Sequence, residues 1–183
     1  MTVWELRNAN VNDFAILVLP VEDEEIDADK VFGGTGAPLK WRKKRQLDIF
    51  VEPRRKTAKP RADVSAFMPG ALVLNERAVS VLGRFFEAFG QLLPVIVGGQ
   101  EEYFYNVTNV VRCVDVGRSQ KRPEGTIAKE AFDEACVPTG AAIFKDPSTA
   151  PVRIYVNEAG KDLLSALIAG ARLTGVEMVA VGM

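Results

Sequence analysis

The sequence predicts an α+β fold: a mostly antiparallel sheet with two main helices packed against it, each following a strand. Two observations carry this expectation. Leu74-Asn75-Glu76 and Val156-Asn157-Glu158, 82 positions apart, each join an extended apolar run to an amphipathic one. Each amphipathic run is followed by a further strand-like segment, with many strands between the two units, an order that suits helices segregated against an antiparallel sheet.

The elements follow in order. Phe14 to Leu19 reads as a short buried strand stopped by Pro20. Leu47, Ile49 and Val51 alternate with Asp48, Phe50 and Glu52, the period of a half-buried strand, ended by Pro53. Ala71 to Leu74 is extended and apolar. Asn75 is a good N-cap, and Glu76 suits the positive end of the helix dipole. Val79, Leu82, Phe85, Phe86 and Phe89 mark one helical face, which Gly90 terminates. Leu92 to Val97 is a strand and Gly98-Gly99 a turn. Tyr103 to Val116, rich in β-branched and aromatic residues, forms one or two strands. Arg118 to Gly125 is a polar loop, and Ile127 to Cys136 fits strand or helix equally. Ala142 to Phe144 and Val152 to Val156 are strands. Asn157 caps the second helix through Leu163, Leu164, Leu167 and Ile168, and Val176 to Val181 closes as a strand. The repeated Asn-Glu step reads first as a helix opening that simply recurs, and second as the trace of a duplication.

Composition narrows the chemistry. The 183 residues contain no histidine, the usual general base near neutral pH and the commonest metal ligand. Most hydrolase triads and zinc sites are therefore closed, and the expectation moves from enzyme to binding protein, with no catalytic, cofactor-binding or metal-ligating residue to assign. Carboxylates, lysines and thiols leave some enzymatic chemistry open. The net charge of −1 supplies no global field toward nucleic acid or acidic membranes. Cys113 and Cys136 form no paired metal motif and read as small buried hydrophobes. The longest apolar runs are too short to span a bilayer, and no basic-then-apolar leader opens the chain, so a cytoplasmic location is expected.

Composition also divides the chain into an N-terminal lobe, residues 1–62, with strands and charged loops, and a conventional α+β stretch, residues 63–183, the two forming one continuous unit. In the first, six acids lie within eight positions: Glu22, Asp23, Glu24, Glu25, Asp27 and Asp29. They lack the ligand order of an EF-hand. They read as a solvated loop, or as a surface that covers a basic site on a partner. Gly33-Gly34-Thr35-Gly36 is followed by Ala37-Pro38, not by the Lys-Ser/Thr of a phosphate loop, and reads as a flexible loop. Ten of the 23 Lys and Arg then fall between Lys40 and Arg61. They either solvate one strand face and blunt a sheet edge, or contact nucleic-acid phosphates with Trp41 and Phe50 available to stack. Glu101 and Glu102 sit beside a strand and point apart, so they do not form a carboxylate pair. Tyr103 and Tyr105 are in part core by alternation; an outward one, like Trp41, would anchor an interface.

A further pattern runs through residues 63–183. Ala62-Asp63-Val64 precedes a glycine-containing bend and a strand. The Asn75-capped helix leads to Leu93-Pro94-Val95 and Tyr103-Phe104-Tyr105-Asn106-Val107. Val114-Asp115, Arg118-Ser119, Phe132-Asp133, Gly140, Ala142-Ile143-Phe144-Lys145, Arg153-Ile154-Tyr155-Val156 and Leu173-Thr174-Gly175-Val176 follow. This order resembles the immunity-protein family numbered eleven of bacterial polymorphic-toxin systems, formerly a domain-of-unknown-function family. The resemblance implies a non-enzymatic partner of a cognate toxin encoded by a neighbouring gene, as in type VI secretion and interbacterial competition. It carries over no catalytic residue and no toxin-facing surface. Asp63, Leu93-Pro94-Val95, Phe144 and Gly175 read as core and turn positions. The partner-contact candidates remain the six acids with Trp41, Tyr103 and Tyr105. The rival expectation is a nucleic-acid-binding module built on Lys40 to Arg61.

Overall fold

The first strand of the chain, β1 (Val3–Asn8), lies at the centre of a four-stranded antiparallel sheet assembled from the far end of the sequence. The computed structural model describes residues 1–21 and 28–182, and of Asp29 its backbone. The remaining elements are β2 (Leu17–Val18), α1 (Ala28–Phe32), β3 (Arg45–Ile49), β4 (Val64–Ala66), β5 (Leu72–Leu74), α2 (Glu76–Glu87), β6 (Gly90–Val97), β7 (Gln100–Val107), β8 (Gln120–Lys121), β9 (Ile127–Lys129), β10 (Ile143–Phe144), β11 (Tyr155–Asn157), α3 (Glu158–Ala171) and β12 (Val176–Val181). The fold is α+β with mostly antiparallel sheets. One sheet runs β10-β11-β1-β12 and another β2-β3-β6-β7-β5-β4, in which only the β3–β6 pair is parallel; β8 and β9 form a separate hairpin.

The two Asn-Glu steps belong to two copies of one arrangement. β4-β5-α2-β6-β7 gives the strand order β4-β5-β7-β6, and β10-β11-α3-β12 gives β10-β11-β1-β12. The N-terminal strand thus takes the place that β7 holds in the other half. The register agrees residue by residue. Tyr103 stands between Leu74 and Pro94, as Trp4 stands between Val156 and Ala180. Asn75 accepts a hydrogen bond from the Ala78 N–H and Asn157 from that of Gly160, both caps in the same extended conformation. Leu72, Leu74, Ala78 and Leu82 correspond to Ile154, Val156, Gly160 and Leu164; the seven larger side chains form one core, in which α2 lies against β5, β6 and β7, α3 against β1 and β11, and the two helices against each other. A second cluster packs Leu47, Val73, Val95 and Phe104 under α1, and a third packs Val3, Phe144 and Tyr155 under the loop after β7.

Several elements differ from expectation, each for a local reason. β1 and α1 were not anticipated, because Val3-Trp4-Glu5-Leu6-Arg7-Asn8 mixes polar and apolar residues on both faces of a central strand. Across the composition break at residue 62, β1 and β3 pair with strands of the later chain. Of Phe14 to Leu19 only Leu17 and Val18 pair, opposite Ile49 and Asp48. β3 stops at Ile49, because β6 ends opposite Leu47 and the chain turns at Gly98-Gly99; Phe50 and Val51 are left exposed. α2 ends at Glu87, and Gly90 opens β6, where a Cβ would lie 2.3 Å from the Asn106 carbonyl oxygen. Tyr103 to Val116 leaves its sheet at Val107, and of Ile127 to Cys136 only the first three residues are strand.

The register generates a test. The Leu6 N–H donates to the Ile154 carbonyl, so Val3, Glu5 and Arg7 turn their backbone groups toward β12. By alternation the Val179 N–H meets Glu5 and the Ala180 N–H points away. Pro94 already occupies the position in β6 that Ala180 holds in β12. Ala180→Pro is therefore expected to stay within about 1 kcal/mol of the parent. Val179→Pro is expected to lose about 3 kcal/mol or more in urea unfolding followed by circular dichroism. Equal losses would contradict the register.

Candidate partner-binding surface

With no histidine present, the side chains able to do chemistry are carboxylates, lysines, tyrosines and thiols. The buried ones hold the backbone in place. Asp146 accepts from the N–H groups of Cys113, Val114 and Ser148, each at 2.8 Å. Glu130 pairs with the Arg153 guanidinium at 2.7 Å and accepts from the Tyr155 hydroxyl at 2.8 Å. Burial raises the Tyr155 phenol above its ordinary range. It also pushes the Cys113 thiol up to about 12, so that sulfur stays protonated and poorly nucleophilic. Cys136 departs from expectation: it is exposed, because the turn at Asp133 carries it outward, and its thiol is raised by the Asp133 carboxylate beside it. Among the described residues no group of three Cys, Asp or Glu is placed to hold a metal ion.

Lys145 is the unusual member. It is buried, and its ammonium donates to the carbonyl oxygens of Gly34 (3.0 Å), Gly70 (3.2 Å) and Ala150 (2.8 Å). The glycine loop expected to be flexible is thus tied to the interior. Gly36, at φ +90°, also lies where a Cβ would meet the Val110 side chain at 2.2 Å. Burial pushes the Lys145 ammonium down to about 8.

The residues singled out as partner contacts lie in different settings. Glu22, Asp23, Glu24, Glu25 and Asp27 fall outside the described residues, as does the Asp29 side chain. Trp41 is half-buried against Phe32 and Phe104, at ring distances of 5.3 and 5.7 Å, and its indole N–H donates to the Val31 carbonyl. Tyr103 is half-buried, with its hydroxyl donating to Glu101 at 3.0 Å, which raises its phenol above the ordinary range. Tyr105 is corrected from interface anchor to core residue. It is fully buried, stacked on Phe86 at 4.3 Å, with its hydroxyl on the Phe86 carbonyl. The reason is coverage: Glu101, Tyr103 and Tyr105 share one face of β7, and Phe86 of α2 packs on the last.

The charges near β3 are partly spent inside the protein. Glu101 and Glu102 do point apart, and both lie within β7 instead of beside a strand. Exposed Glu101 pairs with Lys44, while buried Glu102 takes Arg61 in a two-oxygen pair at 2.7 and 2.9 Å. Glu52 holds Lys59 at 2.8 Å and Arg55 at 3.1 Å. Arg42, Lys43, Arg54 and Lys56 stand exposed.

Beside that Glu52 cluster lies a cleft of about 270 Å³. Val11, Phe14, Ala15 and Ile16 form one wall, Phe50 another, and Glu52, Arg55 and Lys59 the charged end. The walls are held together by backbone bonds, Phe50 N–H to the Ile16 carbonyl at 3.0 Å and Ala15 N–H to that of Pro60 at 2.9 Å. Val11, Ile16, Phe50 and Val51 are 45, 37, 41 and 43% exposed, a concentration of large apolar side chains in water. Sequence reasoning placed Phe50 with Asp48 and Glu52 on the solvent face. An apolar ring among acids was the legible signal; Val11 and Ile16 gave none, because only the fold brings them beside it.

No protein-family model matches the chain, and no curated protein matches it significantly.

Lys145 generates a pH prediction. In the unfolded chain its amine keeps its proton to the ordinary value of 10.5, and in the folded chain only to about 8. Between these values the unfolded chain binds more protons, so this group's contribution to stability rises with pH, by up to about 3 kcal/mol in all. Denaturant unfolding at about pH 7.5 and 9.5 should show the stability difference between the parent and Lys145→Met shifting in the parent's favour as pH rises, while the raised Cys113 thiol lowers both alike. Identical profiles would contradict it.

Proposed function

We propose that this chain is an immunity protein: a stoichiometric cytoplasmic inhibitor that binds a cognate bacterial toxin and covers its active surface without itself making or breaking bonds. The observation that carries this reading is the exposure of Val11, Ile16 and Phe50 on a charged-ended cleft. An apolar centre with a polar rim is the anatomy of a protein interface, and inhibition of a lethal enzyme needs the slow dissociation that such a centre supplies.

The resemblance to immunity proteins supports the same reading through scaffold positions. Asp63 is hydrogen-bonded between the two halves, Phe144 is fully buried, and Gly175, at φ +81°, sits where a Cβ would strike the Val64 carbonyl at 2.2 Å. These positions and the two main helices, each following a strand, belong to the frame and not to an exposed surface. The segregation of acids at 22–29 from bases at 40–61 supports recognition by charge.

Nucleic-acid binding through Lys40 to Arg61 is the second reading, favoured by the exposure of Arg42, Lys43, Arg54 and Lys56. It is weakened by Trp41, whose ring packs against Phe32 and Phe104 and whose indole N–H is already bonded.

Co-expression with the toxin domain encoded by the neighbouring gene should protect the host and yield a complex that survives purification; loss of both sinks the proposal. Steep salt-dependent binding to nonspecific DNA or RNA would favour the second reading. Replacing the six acids of 22–29 by Ser or Gln should weaken toxin affinity by about tenfold or more and flatten its salt dependence. Unchanged affinity would remove the acids from the interface.

A further inference from the structure

We infer that the cleft between Val11–Ile16 and Phe50–Lys59 is where the partner docks, and that the segment it receives carries an apolar side chain flanked by carboxylates. This rests on the immunity reading and adds to it the place and chemistry of contact.

Three observations point there. The first is energetic. Among the described residues 33 apolar side chains are buried, yet Val11, Ile16 and Phe50 on this depression, and Val51 next to Phe50 in the chain, are exposed. Phe50 and Val51 lie just past the end of β3, where no strand continues to cover them. Covering them is the gain that binding supplies. The second is electrostatic. Four cations of the rim loop, Arg54, Arg55, Lys56 and Lys59, face a single described carboxylate, Glu52, which pairs with two of them. An acidic flank on the partner completes that balance, while a basic one would be repelled. Asp13, the acid nearest in sequence to the cleft wall, lines a neighbouring depression with Arg7 and Glu177. The third is rigidity. Both walls are fixed by the Phe50–Ile16 and Ala15–Pro60 backbone bonds, so little ordering cost falls on the docking event.

Two probes test the inference. The first is the toxin domain encoded beside this chain, titrated by calorimetry and by surface-based kinetics. Phe50→Ala should weaken binding at least about tenfold through faster dissociation. The double variant Arg54→Glu, Lys56→Glu should slow association about tenfold and remove most of its salt dependence. Arg122→Glu, on a different depression, should leave both unchanged. The second probe is a synthetic peptide with a Leu-Phe pair between Glu residues. Its amide shift changes should concentrate at Val11–Ile16 and Phe50–Lys59. A toxin complex indifferent to Phe50→Ala and to the double variant, whatever Arg122→Glu does, overturns the inference and leaves the immunity reading standing. A toxin that does not bind, with a peptide that does at the cleft, does the reverse. A DNA duplex that shifts the same amides as strongly as the peptide also overturns it.

Discussion

The second sheet exists only because the first residues of the chain fill its centre. β11 and β12 are joined through α3 but never touch; β1 lies between them and bonds to both. Without β1 each would expose a row of backbone donors and acceptors on its inner edge, a cost of the order of 1–3 kcal/mol for each group buried without a partner. The opposite half solves the same problem with the covalent hairpin β6–β7. The price of the non-local solution is a long loop closure, Val3 meeting Asn157, before the sheet can form.

One buried carboxylate secures the junction of the two halves. Asp63 stands just before β4. Its side chain accepts from Asn75 of the α2 cap (3.1 Å), from Arg77 (2.8 Å), and from the N–H and hydroxyl of Thr174 before β12 (2.9 and 3.0 Å). Burial alone would raise its pKa, but the Thr174 N–H, the Asn75 amide, the Thr174 hydroxyl and Arg77 outweigh it, and the carboxyl is held below its ordinary range. The equivalent place in the other half is Ala142, whose carbonyl accepts the Asn157 N–H as that of Asp63 accepts the Asn75 N–H, but which has no charge to offer. Asn157 instead donates to the carbonyls of Pro138 and Gly140. The two halves share their geometry and differ in their polar contacts.

The division between frame and surface follows from these bonds. The buried ionisable groups discussed above fasten loops, and Lys145 does so for three at once. What the frame leaves to solvent includes Arg42, Lys43, Arg54 and Lys56 and the apolar cleft, in the stretch between β1 and β4 that belongs to neither copy of the arrangement. Functional variation concentrates where a rigid scaffold holds irregular chain. The cleft is made of irregular chain and strand ends pinned to β3.

The sequence by itself determined what depends on neighbours along the chain. The caps at Asn75 and Asn157, the apolar face of α2, the β6–β7 turn and the closing strand follow from hydrogen bonds and periodicities a few residues long. The opposite facing of Glu101 and Glu102 follows from strand geometry alone. Tertiary structure decided what depends on neighbours far away. Val3 to Asn8 is a central strand because β11 and β12 leave a gap for it. Tyr105 is core and Tyr103 is not, because α2 covers only one of two positions with the same local pattern. Trp41 turns inward because Phe32 and Phe104 meet it there. The exposed cluster at Phe50 exists because two segments, each unremarkable in its own stretch, are bonded side by side. Burial is a property of the assembled surface, and no short window of sequence contains it.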